Sequence, residues 1–324
     1  MTTENSKFMR ISSQMKQILF VLLIFLLEST VFALGSQGKF VSGVNILNAS
    51  VQVSVIVLIA IGQMCVIITT GIDLSIGANI GFSGLMAAMA VMTWRLPAPL
   101  GVLIGIGSAT FIGMLNGLIA VYLKITPFIV TFVMQCIVRG TIYLLLGDQS
   151  SIYGLPESYK FLGTGRLFGL LPMPVFLVAV LAAAFTFIIT KTRTGRYLYA
   201  VGSNEDSARL SGINIRRVLI KTYVISGFLA GVTGILTSAR LGSATAQAGM
   251  NAELDAVAAA VIGGTSLLGG VGLPVATIIG ACIIGVLQNG MTLMGVSGNW
   301  QLVTKGVVVL TAAALDIIKK EKEQ

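Results

Sequence analysis

The run Ile59–Met92, IAIGQMCVIITTGIDLSIGANIGFSGLMAAMAVM, decides the fold. An apolar stretch enters Thr69-Thr70-Gly71-Ile72-Asp73-Leu74-Ser75-Ile76-Gly77, and a second apolar stretch leaves it, with Asp73 the one charged residue throughout. A helix that crosses a bilayer takes about 20 mostly apolar residues. The run therefore predicts two membrane helices joined by a Gly/Thr/Ser break. Leu254–Gly290 echoes it: an apolar run reaches Gly263-Gly264-Thr265-Ser266-Leu267-Leu268-Gly269-Gly270 and continues apolar. Repeated helix–break–helix elements are typical of transporters, and their breaks often border the permeation path.

Composition extends this reading to the whole chain of 324 residues. Charged residues make up 10%, against roughly 25% in soluble domains, and mean hydropathy is +0.93. Ionisable groups facing hydrocarbon cost a few kcal/mol each, which explains the deficit. The net charge of +9 does not indicate nucleic acid, because the basic residues sit between apolar runs. Cys65, Cys136 and Cys282 all lie within such runs and read as small core residues. There is no His, which removes most metal sites and His-based catalysis.

The apolar candidates are 17–34, 50–70, 74–94, 99–122, 126–146, 170–190, 222–239, 256–272, 274–294 and 300–318. They predict an all-α polytopic membrane protein of about ten transmembrane helices in a single domain, 1–324; eight spans remain if two are re-entrant. With both termini cytoplasmic, the inside receives Lys7, Arg10, Lys16, Lys124, the seven basic residues of Lys191–Lys221, and Lys319, Lys320 and Lys322. The outside receives Lys39, Arg95, Lys160, Arg166 and Arg240. Fourteen against five is the asymmetry expected of cytoplasmic loops. It requires the first apolar run to be an uncleaved span, although Val31-Phe32-Ala33 resembles a signal-peptidase site. The pairs Gly77/Gly81, Gly101/Gly105, Gly113/Gly117 and Gly227/Gly231 suit close helix packing.

Asp73 lies in apolar surroundings at the start of a helix. It reads either as a cap on that helix or as a residue of the path or its gate. Segment 191–221 is the long hydrophilic cytoplasmic loop. Within it, Ser203–Gly212 predicts a short helix capped by Ser203 or Asn204, with Glu205 and Asp206 in the first turn, Arg209 in the last and Gly212 at the exit. A helix so short is unstable in water, so it docks on its own helix ends or on a cytoplasmic partner that drives transport. Glu28 interrupts the first span near its outer end. Arg139 and Lys305, within spans, read as helix-holding groups bound to carbonyls or a carboxylate. Arg240 with Glu253 or Asp255 forms a candidate ion pair at the outer mouth. Asn79, Ser75, Ser83, Asn116, Gln135, Gln288 and Asn289 are the uncharged polar candidates for a path that carries a neutral solute. No phosphate-cradling G-x-x-x-x-G-K-[ST] loop, metalloprotease motif or nucleophile elbow is found, so the chain is not read as an enzyme.

Gly71–Gly77 resembles the GIDLS-type signature of the ribose-type monosaccharide permeases of bacterial ABC importers. The resemblance continues through Phe128–Thr131, Arg139-Gly140, Thr194–Glu205, Arg209–Asn214, Glu253–Ala256 and Gly263–Gly270, nearly the whole chain. It implies about ten helices per subunit in the inner membrane and two permease subunits side by side, identical or closely related. It further implies a cytoplasmic ATPase that binds the ATP and Mg this chain lacks sites for, and an extracytoplasmic sugar-binding protein. The family's ATPase-contacting loop falls on 195–214, with Gly195, Arg196, Gly202, Asn204, Glu205, Arg209 and Gly212 as its candidate residues. Gly272-Leu273-Pro274 departs from the pattern, where many relatives carry a basic residue and no proline. The rival reading is an ion-coupled secondary sugar transporter, which needs a titratable membrane carboxylate such as Glu28 or Asp73.

Overall fold

A computed structural model describes residues 13–321; Lys7, Arg10 and Lys322, counted above, lie outside them. The described chain runs α1 (Ser13–Gly35), α2 (Gly43–Ile68), α3 (Ile76–Met92), α4 (Ala98–Leu123), α5 (Pro127–Leu146), β1 (Ser151–Tyr153), α6 (Glu157–Thr164), β2 (Arg166–Leu167), β3 (Leu171–Pro172), α7 (Met173–Lys191), α8 (Arg193–Ser203), α9 (Glu205–Leu210), α10 (Ile215–Leu241), β4 (Ser243–Thr245), α11 (Ala252–Ile262), α12 (Pro274–Leu293) and α13 (Gly298–Glu321). It is an all-α polytopic membrane protein. Its strands form two small antiparallel ribbons, β1 with β4 and β2 with β3.

Each of the ten apolar candidates holds one helix, but not each is a full crossing. Among the described residues α1, α2, α4, α5, α7, α10 and α12 are long and apolar enough to span a bilayer. The candidate 256–272 is corrected. α11 has 11 residues, a rise of about 16 Å, which is half of a core about 30 Å thick. Gly263 ends it, and Gly264, Gly269 and Gly270 take positive φ in the connection that follows, a backbone that side chains with a Cβ resist. The expected loop 191–221 is likewise corrected: it is helical over most of its length as α8, α9 and the first turns of α10, which carry Arg216, Arg217 and Lys221. Pro274 takes the first-turn position of α12, where its missing N–H leaves no bond unmade.

The core gathers on α2 and α10, the two most enclosed of the seven long helices. α4 lies against α10 through Gly113 and Gly227: a Cβ on either would stand 3.0 Å from the other's Cα. Close backbone approach of this kind drives association where lipid offers no hydrophobic gain. At one end of the bundle α6 seals the surface. Its buried Tyr159 hydroxyl lies 2.7 Å from Ser238 Oγ, and burial pushes the phenol up to about 12. The opposite end, carrying Lys124 and the Lys191–Lys221 segment, is the basic face.

Candidate functional site

At the basic face, α8 follows α7 across a turn that only glycine allows at 195, since a Cβ there would overlap the Ile189 carbonyl. Arg196 Nη1 reaches back to the Lys191 carbonyl at 3.3 Å. Buried Gly195, Leu198, Val201 and Gly202 share one face of α8 at helical spacing. Asn204 then caps α9, its Oδ1 accepting from Ser207 N at 2.7 Å. Glu205 accepts from Arg209 Nη2 at 2.7 Å on the exposed side. Gly212, at φ +79°, closes the helix: Gly212 N donates to Arg209 O and Ile213 N to Ala208 O, the two bonds of a Schellman stop. Leu210, 90% exposed, stands at the tip of α9.

The end of α8 sits where the two membrane breaks meet. Ile68 O is one of the carbonyls left without a partner at the end of α2; it accepts from Gly270 N of the second break at 2.9 Å. A Cβ on Gly202 would fall on that Ile68 oxygen, and one on Gly269 would meet Thr70 and the Gly202 carbonyl. Ser203 packs on Gly270 in the same way. Tyr199 donates to Gly272 O at 2.6 Å, and burial pushes its phenol up to about 12, so this bond does not titrate near neutral pH.

The first break is organised by Asp73, which is fully buried. Its Oδ1 accepts from Ser75 N at 2.9 Å and from Ser75 Oγ at 2.7 Å, and its Oδ2 from Ser226 Oγ on α10 at 2.7 Å. Ser75 Oγ in turn accepts from Asn116 Nδ2 at 2.8 Å and from Asn79 Nδ2 at 3.3 Å. Gln63 of α2 spans the Asp73 peptide, its amide oriented to donate to Asp73 O and accept from Asp73 N, both at 3.2 Å. Thr131 of α5 donates to Ile72 O at 3.0 Å. Asp73 thus turns the chain at Ser75, the residue before α3, without capping that helix, and its carboxylate holds α10, while the Asp73 peptide, Ser75 Oγ and Ile72 O tie α2, α4 and α5 to the break.

Gln288 and Asn289 are not part of that network. Asn289 exchanges two amide bonds with Asn45, at 2.9 and 3.0 Å, and Gln288 accepts from Gln52 at 3.1 Å, joining α12 to α2. Ser83 donates to Gly231 O at 2.8 Å, between α3 and α10. The Arg240 ion pair with Glu253 or Asp255 is corrected. Asp255 is matched instead by Lys305 of α13, Nζ lying 2.8 Å from Oδ1 and 3.1 Å from Oδ2. Glu253 accepts from Gln135 Nε2 at 3.2 Å. Arg240 lines a small cavity of about 190 Å³ with Asn48, Thr164 and Arg166, because its backbone is pinned against Gly163 of α6.

Arg139 solves a different problem. The non-helical residues before α11 lie level with the middle of α5, and unpaired carbonyls at membrane depth are costly. Arg139 Nη1 donates to Ala246 O at 2.8 Å and to Ala248 O at 2.9 Å. Gly77 and Gly81 make room for this arrangement rather than for a second helix: Cβ atoms there would meet Glu253 and the Gly249 carbonyl, and the Ala248 carbonyl and Arg139.

Sequence reasoning missed Gln63, Ser226, Tyr199 and Leu210. Ser226 and Tyr199 act across the fold, at separations such as 153 residues for Ser226 and Asp73, while Gln63 faces Asp73 across the turn that ends α2; none of the three carries a local signal. Leu210 had one: an apolar residue at the end of a helix otherwise polar on its outer side.

Residues 45–313 match the family model described as branched-chain amino acid transport system, permease component. The ribose import permease protein of Bacillus subtilis (strain 168) is 40% identical over 279 residues, 86% of this chain and 86% of that protein. The corresponding protein of Escherichia coli (strain K12) is 39% identical over 275 residues, 84% of this chain and 85% of that one. The galactose/methyl galactoside import permease protein of Escherichia coli (strain K12) is 34% identical over 327 residues, 94% of this chain and 95% of that protein. No solved structure matches the chain.

Proposed function

The chain belongs to this family of transport-system permease components, and we propose that it is the membrane subunit of an ATP-driven importer for a monosaccharide. Its relatives are named as import permeases for ribose and galactose, and others as allose and xylose permeases. In this reading the basic face is cytoplasmic, as are both termini, and the membrane is the bacterial inner membrane. Two permease subunits flank the path. A separate ATPase subunit binds ATP and Mg and receives α9, while a sugar-binding protein delivers the solute from outside.

The observation that carries the reading is the seat of α8 on both breaks through Gly202, Ile68 O and Gly270. A segment that docks outward through Leu210 and inward on two helix interruptions is built to pass a displacement from a partner to the membrane helices. Leu210 supplies an apolar anchor, and Glu205 and Arg209 supply rim charges.

The test is uptake in vesicles that contain the permease with its ATPase and binding protein. Uptake is expected to persist when the proton gradient is collapsed and to stop when ATP is withdrawn. The opposite dependence would establish the ion-coupled rival.

A further inference from the structure

The outward face of α5 is apolar at Ile129, Val133, Ile137 and Leu144, all exposed. A second, adjacent stripe begins aromatic and turns polar half-way along. Phe128, Phe132, Gln135 and Arg139 follow one another at i, i+4, i+7 and i+11, which is one face of a helix. Phe128 and Phe132 are exposed and their rings stack 4° from parallel; Gln135 and Arg139 are half-buried. Gln135 lies eight residues into α5, about 12 Å along it, near the middle of a core about 30 Å thick.

A half-exposed amide and guanidinium at that depth cannot face hydrocarbon without a cost of a few kcal/mol. They must face water or another polar surface. α11 begins beside them, because its eleven residues leave its amino end about half-way across. Helix amino ends at mid-membrane, with irregular backbone leading into them, are where transporters hold their solutes. Glu253, in the first turn of α11, is bonded to Gln135. The two bonds Arg139 makes to the backbone both leave from Nη1, so its remaining N–H donors point elsewhere.

From these observations we propose that Phe132, Gln135 and Arg139, with Glu253 behind Gln135, form the station on the translocation path that holds a neutral polyhydroxylated solute. The inference builds on the importer reading and names its binding wall. The amide and guanidinium meet hydroxyl groups, and the ring of Phe132 covers the C–H face of the sugar. Glu253 is a positioning residue, fixing the Gln135 amide. The hook from Thr131 to Ile72 O, one turn below Gln135, links the station to the first break.

The experiment uses the complete importer and radiolabelled D-ribose, D-allose, D-xylose and D-galactose in turn. Gln135→Leu is expected to raise the half-saturation concentration for uptake by roughly 3- to 10-fold, the range for one lost hydrogen bond, with ATPase co-purification unchanged and with Gln135→Asn giving a smaller rise. In a second arm, Gln135→Cys and Ile137→Cys are made in a chain carrying Cys136→Ser and treated with a charged, membrane-impermeant methanethiosulfonate. Position 135 is expected to react, and more slowly with sugar present, while position 137 does not. Equal reactivity at the two positions, or unchanged half-saturation in Gln135→Leu beside a working wild type, overturns the station and leaves the importer reading intact. A wild-type complex whose uptake stops when the proton gradient collapses and persists without ATP overturns both.

Discussion

Gly202→Ala isolates the coupling contact. The added methyl would fall on the Ile68 carbonyl oxygen and stand 2.8 Å from Gly270 N. Both neighbours are backbone, so neither can rotate away. Either α8 lifts off the breaks or the Gly270 N to Ile68 O bond opens. Overpacking of this kind costs about 1–3 kcal/mol, a factor of roughly 5 to 150 in any equilibrium that requires α8 to be seated. The docking surface of α9 is untouched, because Asn204, Glu205, Arg209 and Leu210 lie beyond the contact and hold their own cap and stop. The variant is therefore expected to bind the ATPase subunit normally while sugar uptake falls at least severalfold. Co-purification measures the first, and ATP-driven uptake per hydrolysed ATP in proteoliposomes measures the second. Uptake with wild-type stoichiometry would refute the claim that displacement passes through this contact.

Leu210→Glu is expected to reduce ATPase co-purification, and replacing Glu205 and Arg209 together is expected to weaken it further while near- and far-ultraviolet circular dichroism stay unchanged; the Glu205–Arg209 pair itself, being exposed, adds only about 0–1 kcal/mol to folding. Asp73→Asn keeps one acceptor oxygen for Ser75 and turns the other into an amide donor, to which the Ser226 hydroxyl must swing round as acceptor; it is expected to lower the uptake rate with only a modest fall in the thermal midpoint in detergent. Lys305→Met alone is expected to destabilise by about 3–5 kcal/mol, because it strands Asp255, whereas Lys305→Met with Asp255→Leu recovers most of the loss; thermal unfolding of the purified protein tests the non-additivity.

The membrane helices were legible because their signal is local. Apolar runs marked the place of ten helices, and the Gly/Thr/Ser break at 263–270 marked where one of them, 256–272, falls short of a crossing. The cap and exit of α9 were legible for the same reason: Asn204 and Gly212 satisfy helix ends within a few residues. What stayed hidden is set by chain separation. Nothing near Asp255 announces Lys305, fifty residues on, and Arg240 was a better partner by proximity in sequence alone. Gly77 and Gly81 carry a helix-pairing spacing, yet serve a loop and two charged side chains, since spacing cannot say what fills the space. α8 was hidden for another reason: its amphipathic face is short, and its glycines argue against a helix until their neighbours are known.

The two breaks are unequal in a way that bears on how the molecule moves. The first is held from four helices, through Gln63, Asn116, Thr131 and Ser226 around Asp73, all of them buried. The second carries five glycines between 263 and 272 and meets the first through Gly270 and Ile68. In the proposed cycle a push on α8 would reach this side-chain knot and the glycine-rich strap at once. The knot would carry the motion into α3 and, through Thr131, into α5, and the strap would carry it into α12. Stiffening the strap with Gly272→Ala, where φ is not positive and the added methyl meets only the side chains of Ile68 and Thr265, is thus expected to slow the cycle with ATPase binding unchanged. Loosening the knot with Ser226→Ala is expected to waste hydrolysis, raising ATP consumed per sugar moved. If the two substitutions proved interchangeable in that ratio, the division into knot and strap would be wrong.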